Sequence, residues 1–64
     1  MQEKINNKMQ EYNVSFGELS KTLGISKQTL TKKVQGTMDW TFPEMEKLIA
    51  LFHIEDAQEF FFSA

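Results

Sequence analysis

The chain has 64 residues, 41% of them apolar, with no cysteine and a formal net charge of −2. That length sets a single domain over 1–64, small enough to bury only about 60% of its unfolded surface. Lack of cysteine excludes disulfides, thiolate metal sites and thiol nucleophiles. No run spans a bilayer, and the N-terminus carries no apolar signal core, so the expected location is cytoplasmic.

The pattern predicts five short helices and no strand. Ile5, Met9 and Tyr12 follow an i, i+4, i+7 stripe, which predicts a first helix over 2–12 with Asn13 as its stop. Ser15 and Glu18 form the S-x-x-E capping box that opens a second helix over 16–23. Val14 and Leu19 occupy the staple positions on either side of that cap. Leu19 and Leu23 share a face, and Gly24 suits the positive φ that ends the helix. Ile25 fills the turn, Ser26 caps a third helix over 27–35, and Leu30 and Val34 form its inward stripe. Gly36 stops it, and 36–40 is a loop.

Thr41 and Glu44 make a second capping box, with Trp40 and Met45 at its staple positions. Pro43 is tolerated in the first turn of the helix that follows. Met45, Leu48, Ile49 and Phe52 face inward along this fourth helix. His53 and Ile54 form a joint. Glu55 and Asp56 suit the positive end of a fifth helix reaching Phe62.

Charge is divided along the chain. Residues 1–36 hold six lysines against Glu3, Glu11 and Glu18, a net of +3. Residues 37–64 hold Lys47 against Asp39, Glu44, Glu46, Glu55, Asp56 and Glu59, a net of −5. Between Ser20 and Gly36 stand four lysines and no acid. The positive end of this dipole coincides with residues 15–36, two capped helices joined at Gly24-Ile25-Ser26. That is the layout of a helix-turn-helix, which places its second helix in the major groove of DNA. Lys27, Gln28, Thr31 and Lys32 lie on the open face of that second helix.

The same residues carry a family resemblance. Glu18-Leu19-Ser20-Lys21-Thr22-Leu23-Gly24-Ile25-Ser26, Lys32-Lys33-Val34-Gln35-Gly36 and Trp40 to Leu48 resemble the Cro/repressor helix-turn-helix family of xenobiotic-response-element type. The closing Glu59-Phe60-Phe61-Phe62 is most similar to small regulators from phages of Gram-positive bacteria. The resemblance implies an all-α, compact five-helix lambda-repressor-like domain. It implies that Ser26 caps the recognition helix and touches a phosphate. It also implies that Lys27, Gln28 and Thr31 face base edges, Gln28 toward adenine and Lys27 toward guanine. Lys32 and the 36–39 loop, including Thr37, would lie along the backbone. Three departures lower the expected affinity: Phe16 stands where the family often has glutamine, Asp39 adds an acid to that loop, and the chain has no arginine.

These features imply a sequence-specific, DNA-binding transcriptional regulator acting by occupancy of a double-stranded operator as a homodimer. The rival is an antirepressor or modulator with the same fold that grips a partner repressor protein. The acidic total and the consecutive phenylalanines lean that way. Neighbouring positions on a helix are about 100° apart, so one face cannot bury Phe60, Phe61 and Phe62 together. Phe61 fits the stripe with Ala57, which leaves Phe60 and Phe62 as candidate protein-interface residues. His53 reads as a packing or surface residue. No nucleophile, acid-base or phosphate-cradling constellation is present, so neither catalysis, a cofactor nor a metal is expected.

Overall fold

The computed structural model describes residues 1–62. Its regular structure is helical throughout: α1 Gln2–Tyr12, α2 Phe16–Leu23, α3 Lys27–Gln35, α4 Phe42–Phe52 and α5 Ala57–Phe62. These are the ranges that the capping and stripe signals predict, and the all-α five-helix expectation holds.

Local chemistry sets most of the boundaries. Ser15 Oγ accepts from Glu18 N at 3.1 Å, and Glu18 Oε1 accepts from Ser15 N at 3.0 Å, so the first capping box closes reciprocally. Thr41 and Glu44 repeat the arrangement at 3.3 and 2.8 Å. Asp56 Oδ1 accepts from Glu59 N at 3.1 Å, so Asp56 caps α5. Helices α1 to α4 each end on a left-handed residue: Asn13, Gly24, Gly36 and His53. Gly24 (φ 71°) and Gly36 (φ 89°) reach this region without a Cβ penalty. Asn13 and His53 are residue types that tolerate it. His53 also lies 5.5 Å from the Tyr12 ring, so the lone histidine packs against an aromatic neighbour.

The core is Ile5, Leu19, Leu23, Leu30, Val34, Leu48, Phe52 and Ile54, with Met9, Val14, Phe16, Ile25, Trp40, Ile49, Phe60 and Phe61 packed at its margin. Helix α2 packs on α3 and α4, while α1 packs on α3 and α4. Tyr12 does not complete the inward stripe of α1. It sits at that helix's last turn, 36% exposed, and closes the core edge by resting 5.9 Å from Phe52.

Helix α5 is held differently, since it has no buried residue of its own. Lys4 Nζ donates to the Glu59 and Phe60 carbonyls at 3.0 and 3.1 Å. Those carbonyls lie in the last turn of α5, where intrahelical donors run out. The same ammonium stands 5.9 Å from the Phe60 ring centroid.

Candidate nucleic-acid interface

Helix α3 owes its position to α2. Gly24 N and Ile25 N donate back to Lys21 O and Ser20 O at 3.2 and 3.1 Å, ending α2 sharply. Ser26 then caps α3 by accepting from Thr29 N at 3.1 Å. Leu30 and Val34 turn into the core, fixing the rotation of the helix. What remains outward is Gln28, Thr31, Lys32 and Gln35, spaced i, i+3, i+4, i+7. Gln28, Lys32 and Gln35 are exposed and Thr31 is half-buried.

The six residues expected at a nucleic acid take distinct places. Lys27 lies back across α2: a Cβ on Gly17 would stand 3.4 Å from Lys27 Cε and 3.6 Å from its Nζ. Its ammonium is therefore beside the first turn of α2, at the shoulder between the two helices. Gln28 stands on the outward stripe. Thr31 Oγ1 donates to Lys27 O at 2.8 Å, which commits its hydroxyl hydrogen. Ser26 Oγ donates to Thr29 Oγ1 at 3.0 Å, so its hydrogen too is used internally. Thr37 Oγ1 donates to Lys32 O at 3.1 Å and its N–H donates to the same carbonyl at 2.9 Å, which finishes α3. The backbone N–H groups of the first turn of α3 are the donors that a phosphate would meet there.

One of the four lysines between Ser20 and Gly36 is not on the surface. Lys33 Nζ donates to Glu44 Oε1 at 2.5 Å, and both side chains are buried. Burial pushes the Glu44 carboxyl up. The hydrogen bonds from Lys33 and Thr41, with the Lys33 charge, outweigh that and hold its pKa below the ordinary 4.5. Glu44 thus caps α4 and anchors α3 at once. The positive face consists of Lys21, Lys27 and Lys32, all exposed. A buried stripe of Leu30, Lys33 and Val34 was the available signal, since position 33 falls beside the inward residues. Gln35 carries the same kind of signal, as the i+7 member of the outward stripe.

Phe60 and Phe62 part company. Phe60 packs at the core margin, 5.1 Å from Phe61 and beneath Lys4, whereas Phe62 is 71% exposed. Phe42, which nothing in the pattern singled out, is 70% exposed. Met1, Met38, Trp40, Met45, Phe61 and Phe62 line an open groove of about 480 Å³ beside the α3–α4 loop. Among the described residues no cluster of His, Asp or Glu is placed to hold a metal.

The comparison with known families matches the Cro/C1-type HTH DNA-binding domain across residues 4–57. The chain belongs to that family. The match contains both helices of the motif, the turn and α4, and stops at the start of α5. No curated protein and no solved structure matches significantly. In this Cro/C1-type domain, α3 is the second helix of the motif, the one such motifs present to DNA. No helix among the described residues is long and apolar enough to cross a membrane.

Proposed function

We propose that this Cro/C1-type domain is a sequence-specific transcriptional regulator of the phage Cro/repressor kind, encoded by a phage or mobile element, that acts by occupying an operator. The observation that carries this reading is the outward face of α3. Gln28, Thr31 and Lys32 project from a helix fixed by its cap and its buried stripe, flanked by Lys21 and Lys27, with no acid between Ser20 and Gly36. Two copies would place their α3 helices in successive major grooves about 34 Å apart and block polymerase. Phosphate contact would come from Lys21, Lys27, Lys32 and the backbone around Ser26 and Thr37, and the base contact from the stripe.

The test is a gel shift with the protein's own promoter region at low salt. A discrete, competable complex is expected, lost in a Gln28→Ala/Thr31→Ala/Lys32→Ala variant whose circular dichroism is unchanged. Binding without sequence preference contradicts the proposal.

A second reading, a modulator that grips a partner repressor, is favoured by one observation. Phe62 is 71% exposed at the lip of the methionine-lined groove. Under that reading Phe62→Ser abolishes capture of the neighbouring repressor while the triple variant of α3 retains it.

A further inference from the structure

Lys33 is the anomaly of α3. It lies on the inward side with Leu30 and Val34, yet its ammonium is buried against Glu44. Stability alone does not call for this arrangement, since apolar packing can often replace a buried ion pair without loss. What a hydrogen-bonded pair supplies and apolar packing does not is direction, because both its length and its angle are constrained.

That direction converges on one atom. Glu44 Oε1 accepts from Lys33 Nζ at 2.5 Å and from Thr41 N at 2.8 Å. One donor belongs to the last turn of α3 and the other to the cap of α4, so this oxygen gathers both ends of the segment between them. The segment contains the α3–α4 loop. The loop leaves α3 against its outward stripe: Thr37 N and Oγ1 both donate to the carbonyl of Lys32, whose side chain is exposed on that stripe. Gly36, Thr37, Met38 and Asp39 are exposed as well. Past Thr37 the loop has no ladder of its own. Among the described residues, the backbone N–H groups of Met38, Asp39 and Trp40 meet no internal backbone acceptor. Its course therefore depends on how its two ends are held.

We propose that Lys33 and Glu44 are positioning residues for DNA binding: their ion pair, sharing Oε1 with the cap of α4, holds the α3–α4 loop beside the outward face of α3 so that the loop meets a phosphate. Neither side chain touches DNA. This rests on the DNA-binding reading above and gives the buried pair a part in affinity that is separate from its part in stability.

The experiment uses the full chain and the duplex it selects from a randomised pool. Lys33→Met with Glu44→Gln removes the tie to α3 and leaves an amide oxygen to accept from Thr41 N. With folding verified by circular dichroism and urea denaturation, this variant should bind about 2- to 30-fold more weakly than the wild type. Backbone order parameters over 36–40 should fall in the free protein while those over 27–33 stay as they were. A scan with single uncharged methylphosphonates along each strand then locates the phosphates that matter. The wild type should show one whose neutralisation weakens binding and which does not answer to Lys21→Ala, Lys27→Ala or Lys32→Ala. In the double variant that sensitivity should vanish while the others remain. A pair that only stabilises the fold would change the folded fraction alone, which weakens binding to every duplex of the scan alike. Glu44→Asp keeps the charge at the start of α4 but shortens its reach by a methylene group, so one oxygen no longer spans both donors. It should give the same loss and the same change in the scan, and it carries the test if the double variant does not fold.

Wild-type affinity and a wild-type phosphate scan in a folded variant overturn the proposal and leave DNA binding standing. So does weaker binding with the scan and the order of 36–40 unchanged. Failure of the folded wild-type chain to bind any duplex overturns the DNA-binding reading, and this inference with it.

Discussion

The helix-turn-helix over 15–36 and the segment over 42–62 are built on different principles. In the first, each boundary is made by neighbours in sequence: Ser15 with Glu18, Gly24 with Lys21, Ser26 with Thr29, Gly36 with Lys33. Its leucines then meet at the centre of the core. In the second, α4 begins on a local capping box, but its deeper anchor is the distant Lys33. Helix α5 depends on Lys4, 55 and 56 positions away in sequence. A six-residue helix with no buried side chain gains little by itself, because short helices are marginal in water. Helix α3 is therefore fixed by local caps and buried leucines, whereas α5, which carries the exposed Phe62, is held by its Asp56 cap, by Lys4 and by Phe60 and Phe61 at the core margin. A reading head needs fixed geometry, whereas a peripheral surface does not.

The contrast is broken most severely at the contact joining the two regions. Lys33→Ala leaves the Glu44 carboxylate buried without its partner and should cost about 3–5 kcal/mol, enough to unfold a domain of this size. Lys33→Met with Glu44→Gln keeps the capping geometry of α4 and removes the charge, and should recover most of that loss in urea denaturation. Leu23→Ala comes next, at about 2–5 kcal/mol for a fully packed leucine. An unchanged denaturation midpoint would place Leu23 outside the core.

Lys4→Ala sharpens the contrast from the other side. It should cost about 1 kcal/mol and raise amide exchange in α5 while exchange in α2 and α3 stays as it was. Equal acceleration in all three would mean that the two regions open together.

Acid gives the mildest probe. The folded pKa of Glu44 lies below its ordinary 4.5, so the unfolded state binds more protons as pH falls through that range. The stabilisation is complete above about pH 5, by the same linkage, and is lost as pH falls through the folded pKa. Glu18 is also lowered, through its backbone and side-chain hydrogen bonds with Ser15. Midpoints measured in this window should fall with pH, and Glu44→Gln should flatten the slope without removing it.

The same division governs what could be read from the sequence. Capping boxes, glycine stops and i, i+4 leucines are local, so all five helices were legible there, as were Gln28, Thr31 and Lys32 on the outward face of α3, while Gln35 on that face was missed and Lys27 turned back over Gly17. The Lys33–Glu44 pair was legible only by half: position 33 falls beside the inward residues of α3, but its partner shows only once α4 is folded against it. The fate of the side chains at the site was not legible. Thr31 and Lys27 look like base readers by position, and only their contacts with Lys27 O and Gly17 show what each has left to offer. The three consecutive phenylalanines could not all share one face, but which ring would be exposed depended on where α5 docked. It is Phe62.

The central claim is that this face of α3 reads DNA. Its most direct test is fluorescence anisotropy of the folded protein against fragments from its own genomic neighbourhood, at about 50 and about 200 mM salt, where counterion release makes phosphate contacts visible. Saturable binding to one fragment, weakening steeply at the higher salt, is the predicted result. No binding at either salt would contradict the account and leave the exposed phenylalanines and the groove beside them as the working surface.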